Sequence, residues 1–157
     1  MLIFSIFTKI RRSIKKKVET GDPSLYISLA FPILFTFVLT FAVSRIISHL
    51  WPQIFFQPSV GLHVHHYTYG IFILAAAGYI ALAIKSARAR FWTAMLMGIG
   101  LGLAMDEFGM WLRLNDDDLA RWSYDGFNIT IGLFLFVITI RPGFRLIKEI
   151  WPENWSK

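Results

Sequence analysis

Residues 24–50 read SLYISLAFPILFTFVLTFAVSRIISHL, and this stretch decides the fold. No formal charge interrupts it before Arg45, so it can cross the roughly 30 Å hydrocarbon core of a bilayer with some tilt. Backbone amides have no water to bond at that depth, which leaves an α-helix as the way across. Pro32 sits about two turns in and is expected to bend the helix. Arg45 and His49, four residues apart, share one face near its far end.

Reading outward, three more stretches carry the same signal, over about 62–84, 91–113 and 123–140. Between them lie an aromatic, proline-bearing loop at Gln53–Ser59, a basic turn at Lys85–Arg90 and an acidic loop at Asn115–Arg121. Arg141-Pro142-Gly143 is expected to stop the fourth span. Gly21-Asp22-Pro23 opens the first, with Asp22 placed to cap and Pro23 suited to the first turn. In residues 1–20, Ile3, Ile6, Phe7, Ile10, Ile14 and Val18 recur at spacings of three and four, opposite Lys9, Arg11, Arg12, Lys15 and Lys16. Residues 144–157 repeat the pattern, with Arg145 and Lys148 opposite Leu146, Ile147, Ile150 and Trp151. The expected fold is an all-α polytopic membrane protein. Four transmembrane helices over 21–143 form a bundle, with an amphipathic interfacial helix at each terminus.

Composition agrees. Charged residues make up 17% of the 157, below the roughly 25% of soluble domains, and mean hydropathy is +0.54. With no cysteine there are no disulfides, thiolate metal sites or cysteine nucleophiles. The net charge of +6 points to anionic lipid rather than nucleic acid, because six basic residues crowd into Lys9–Lys17 on an amphipathic helix. The basic cluster follows the first apolar residues and no small-residue cleavage site appears, unlike a signal peptide. Lys and Arg outside the spans fall almost wholly in the N-terminal segment, the Lys85–Arg90 turn and the C-terminal tail. The positive-inside rule then puts both termini in the cytoplasm and the chain in the cell's inner, cytoplasmic membrane. Trp51, Trp111, Trp122, Trp151 and Trp155 read as interfacial anchors.

The polar residues inside these spans carry the functional question. Three of the four histidines, His63, His65 and His66, open the second span; Asp106 and Glu107 lie near the end of the third. An ionisable group at such depth costs about 2.5–3.5 kcal/mol on insertion scales and marks a candidate site. At about 1.5 Å per residue, His66 and Asp106 fall at similar depths below the outer surface, level with Arg45, and Asp125 opens the fourth span on that side. Gly98 and Gly102 form a small-xxx-small pair, expected to pack span three on span two and bring His66 to Asp106, with His65 pointing elsewhere.

Two readings stay open. His63, His65, His66, Asp106, Glu107 and Asp125 are ligand types for zinc or iron, and a facial set of two histidines and one carboxylate can be drawn from His63, His66 and Asp106. A hydrolase acting on a lipid or other amphiphile would then use Asp106 as ligand and Glu107 as general base on the metal-bound water. No H-E-x-x-H and no paired Glu-x-x-His is present. The other reading makes the cluster a buried ion-pair network with Arg45 as counter-ion. The chain is then a non-catalytic component of a larger membrane assembly, binding a partner protein, a second copy, a lipid or a pigment whose haem or chlorophyll-type ring a histidine ligates. Asp116-Asp117-Asp118 lacks the glycine and distal glutamate of an EF-hand and reads as a solvated loop. Proton transport finds no relay in the inner halves of spans two to four beyond Tyr79.

At His63-Val64-His65-His66-Tyr67-Thr68-Tyr69-Gly70 and Met105-Asp106-Glu107-Phe108-Gly109-Met110-Trp111-Leu112 the chain resembles a family of small bacterial and archaeal four-helix integral membrane proteins. Members carry H-x-H-H-x-x-x-G on one helix and D-E-F-x-x-W-L on another, then an acidic loop and an R-x-S-x-D segment. That last element appears here as Arg121-Trp122-Ser123-Tyr124-Asp125, so the resemblance covers roughly residues 60–130. It implies that these residues act as a set, and it supplies no reaction.

Overall fold

A computed structural model of the chain describes residues 2–51, 56–59, 62–115 and 117–150. Seven helices and one short hairpin are described: α1 (Leu2–Thr20), α2 (Leu25–Leu50), β1 (Phe56–Ser59), β2 (Leu62–Val64), α3 (His66–Ala83), α4 (Ala87–Asp106), α5 (Phe108–Arg113), α6 (Asp118–Arg121) and α7 (Asp125–Ile150). Among the described residues three segments are, by length and composition, long and apolar enough to cross a membrane: Leu25–Leu50, His66–Ala83 and Asp118–Ile140. The last takes in the short α6 and the first part of α7. Their outer surfaces are what lipid requires. Val38, Leu39, Val43 and Ile46 on α2, Phe72 and Leu82 on α3, and Leu133, Leu135 and Phe136 on α7 are all exposed. The chain is a helical membrane protein.

Helix α4 is the centre. It packs against α2 on one side and α3 on another, and also meets α1, α5 and α7. Glycines set both close approaches. A Cβ on Gly70 of α3 would stand 2.5 Å from the Ala104 backbone nitrogen and 2.6 Å from the Gly100 carbonyl oxygen. The Gly98–Gly102 pair, expected on the α3 side, faces α2 instead: Cβ atoms there would meet the Ile33 carbonyl and Thr36, and Phe37 and Thr40. Helical geometry explains the difference. Gly100 and Ala104 lie about 200° round the helix from Gly98 and Gly102, so α4 offers small residues to both neighbours. The Thr36 hydroxyl uses the closeness, lying 2.9 Å from the Met95 carbonyl of α4 as well as 2.8 Å from Pro32 O.

Four expected boundaries move. The second span starts at His66 rather than Leu62, because residues Leu62–Val64 pair antiparallel with Phe56–Ser59, where a loop was expected. Pro58 weakens any helix in that segment, and the hairpin satisfies its backbone another way. The helix expected as the third span begins early at Ala87, where the Ser86 side chain caps Ala89 N, and it breaks at Glu107 (φ −105°, ψ 15°). Within the acidic loop, Asp117 Oδ1 accepts from Ala120 N at 2.7 Å and starts α6. Finally, α7 continues through Arg141-Pro142-Gly143 to Ile150. Proline removes one helical hydrogen bond, whereas ending the helix would free several backbone groups at once. The separate interfacial helix expected over 144–157 therefore starts as part of α7, and residues 151–157, with Trp151 and Trp155, lie outside the described residues.

Helix α1 doubles back along the bundle. Ser13 meets Ser28 hydroxyl to hydroxyl at 3.3 Å, and the Phe7 ring stands edge-on to Phe35 at 5.0 Å and to Phe91 at 6.2 Å. These contacts run α1 antiparallel to the first turns of α2. Of its apolar stripe, Ile14 is fully buried and Phe7 packs on α2 and α4, while Ile6 stays exposed. Its basic face looks outward.

Candidate functional site

The site forms where α2 ends, α3 begins and α4 breaks. Each of these helix ends leaves backbone groups without partners, and the ionisable side chains meet that need. Arg45, one turn before the end of α2, reaches α4. Its Nε stands 2.5 Å from Asp106 Oδ1, and its Nη2 donates to the Asp106 carbonyl at 2.6 Å and the Ser123 carbonyl at 2.7 Å. The guanidinium thus closes the broken end of α4, fixes the turn leading into α7 and neutralises Asp106. Phe41, Trp122 and Tyr124 surround it, with ring centroids 4.9, 5.5 and 5.5 Å from its central carbon. Aromatic faces suit a desolvated guanidinium. His49 stands edge-on to Trp122 at 5.8 Å, so the pair predicted to share a face on α2 meets one indole.

Glu107 performs the matching task for α3. Its Oε2 accepts from the His66 backbone N–H at 2.8 Å, in the first turn of a helix whose N-cap, His65, makes no side-chain cap bond. A carboxylate there also complements the positive helix end. Its other oxygen lies 3.2 Å from His65 Nδ1, and His66 Nδ1 lies 3.4 Å from Asp106 Oδ2. His65 stacks on Tyr67, which stands edge-on to Trp111. The two acids are buried, Asp106 at 3% and Glu107 at 9% exposure, while the His66 side chain keeps 26%.

The predicted set is therefore brought together only in part. Arg45, His65, His66, Asp106 and Glu107 meet. His65 turns to Glu107, where it was expected to point away, because the acids follow one another at the α4 break and serve successive histidines. Asp125 goes to Arg113, whose Nη2 lies 3.1 Å from its Oδ2, and does not join the histidines. His63 falls in β2 rather than in a helical turn, and its side chain lies outside the described residues. Among the described residues no group of three or more His, Asp or Glu side chains is gathered to hold a metal ion. The facial set drawn from His63, His66 and Asp106 includes His63 and so falls partly outside the described residues. Sequence reading also missed the two carbonyls bound by Arg45, since a backbone acceptor leaves no residue signature. Phe41, one turn before Arg45, was the part of the aromatic surround within reach.

No protein-family model, curated protein or solved structure matches this chain.

Proposed function

We propose that this is a non-catalytic, multi-pass component of the cytoplasmic membrane whose His–acid cluster is a structural network fastening the ends of the bundle. Helix α4 is also a span, third in chain order: about 30 Å long at 1.5 Å per residue, it lies between two helices that are themselves long enough to cross. Both termini and the Lys85–Arg90 turn face the cytoplasm, where α1 contacts anionic lipid. The exposed apolar faces of α2, α3 and α7 meet lipid or a neighbouring membrane protein, a second copy included.

One observation carries the structural reading: every strongly buried carboxylate in the cluster is committed to a helix end or to Arg45. A hydrolase of the kind the ligand types suggest would need Glu107 available to a water, yet its two oxygens face His66 N and His65 Nδ1. Removing one partner of a buried pair strands a charge and costs about 3–5 kcal/mol, whereas an apolar pair of similar volume is often neutral. Arg45→Met and Asp106→Leu should each lower unfolding free energy in detergent by that amount, and the double variant should regain at least half. A double variant no better than the worse single one overturns the proposal. So does stoichiometric zinc or iron in the purified protein that is lost from His66→Ala.

A further inference from the structure

A cavity of about 560 Å³ opens between α1 and the first turn of α4, at the opposite end of the bundle from the cluster. Arg11, Arg12 and Lys15 line it from α1, Arg88 from α4, with Val18 and Glu19 beside them. The aliphatic stems of the basic side chains, with Val18 and Ala87, give its walls a largely carbon surface. Lys15 has a partner, Glu19, at 3.8 Å. Among the described residues Arg11, Arg12 and Arg88 make no ion pair, so four basic side chains from two helices line one hollow against the single carboxylate of Glu19.

We propose that this cavity is a binding site for the phosphate headgroup of an anionic phospholipid carrying two or more negative charges. Folding brings Arg88 to the α1 arginines across a long sequence gap, which leaves an excess of positive charge over the one Glu19 carboxylate and attracts a further anion. Guanidinium forks match phosphate oxygens two at a time. The apolar walls suit the glycerol and first acyl carbons of a lipid, and the cavity lies at the bundle end where α2 starts, level with a headgroup layer. A free phosphate has no use for those walls. The site rests on the proposed topology only for which leaflet supplies the lipid; it stands or falls apart from the His–acid network.

Native mass spectrometry of the full chain in detergent tests it with added lipids. A diphosphatidyl lipid or phosphatidic acid should be retained as one adduct and phosphatidylethanolamine should not. Because each basic contact at a membrane surface contributes about 1 kcal/mol, R11Q/R12Q/R88Q should weaken that binding by about tenfold or more. K9Q/K16Q removes two charges from the same helix outside the cavity and should change it by no more than about twofold. Equal losses in the two variants would reduce the effect to general surface attraction and overturn the site. Retention of phosphatidylethanolamine to the same extent would overturn it too. Displacement of the lipid by inorganic phosphate at matching concentration would make it a free-anion site, which overturns the lipid assignment.

Discussion

Where α2 finishes, Arg45, Asp106, Glu107, His65 and His66 each lie 2.5–3.4 Å from a partner. Where α2 starts, Arg11, Arg12 and Arg88 share a cavity and have no such partner among the described residues. Burial accounts for the contrast. A charge withdrawn from water is tolerable only when paired, so the acids at the first end are consumed by helix ends and by one guanidinium. The arginines at the second end remain exposed, which leaves them able to take an anion from outside. Ionisable residues near a membrane thus divide into those that complete the fold and those that await a ligand.

If the first end depends on helices held at a fixed distance, the largest effect after loss of Arg45 or Asp106 should come from forcing them apart. Gly70→Val puts a branched side chain against backbone atoms of Ala104 and Gly100, which cannot swing aside. Overpacking of this kind costs about 1–3 kcal/mol, and the upper end is expected here because α3 packs mainly on α4. Gly132→Ala meets nothing within 4 Å and should be neutral or slightly stabilising. Reversible unfolding of both variants in mixed micelles measures the difference; equal stability would show that the close approach is not what holds the cluster.

Next in size is Glu107→Leu. It strips the acceptor from the first turn of α3 and leaves a half-buried N–H unsatisfied, a loss of about 1–3 kcal/mol. The loss should be local. Hydrogen exchange at His66 and the turn after it should accelerate, while the α2–α4 contact around Thr36 stays protected. Uniform acceleration through α2 would mean that Glu107 supports the whole bundle and not one helix end.

Much of this arrangement was legible in the sequence, and the reasons it stopped are physical. Hydropathy marks Leu25–Leu50 because lipid selects for composition alone. Depth counting brought His66 to Asp106 because helical rise is uniform. Facing failed at Gly98 and Gly102, since small residues lie on two sides of α4 and the pattern does not say which neighbour takes which. The start of α3 failed because strand pairing of Leu62–Val64 with Phe56–Ser59 depends on a partner segment, not on local apolarity. The break at Glu107 is likewise decided by tertiary contacts: Arg45 supplies a carbonyl partner that a continuous helix would have supplied itself.

The smallest expected effect comes from an ion pair of the same residue types in a wetter place. Arg113 and Asp125 lie 3.1 Å apart with side chains 40% and 32% exposed. Exposed pairs contribute about 0.2–1 kcal/mol and are screened by salt. Arg113→Gln should therefore cost a few tenths of a kcal/mol at low ionic strength. That cost should vanish at about 1 M salt, where the screening length is about 3 Å. The Arg45→Met penalty should persist in the same salt, because Asp106 is nearly sealed from solvent. Should the two penalties fall together as salt rises, water reaches Arg45 and Asp106 as freely as it reaches the surface pair. Burial would then no longer explain why one end of the bundle consumes its charges and the other presents them.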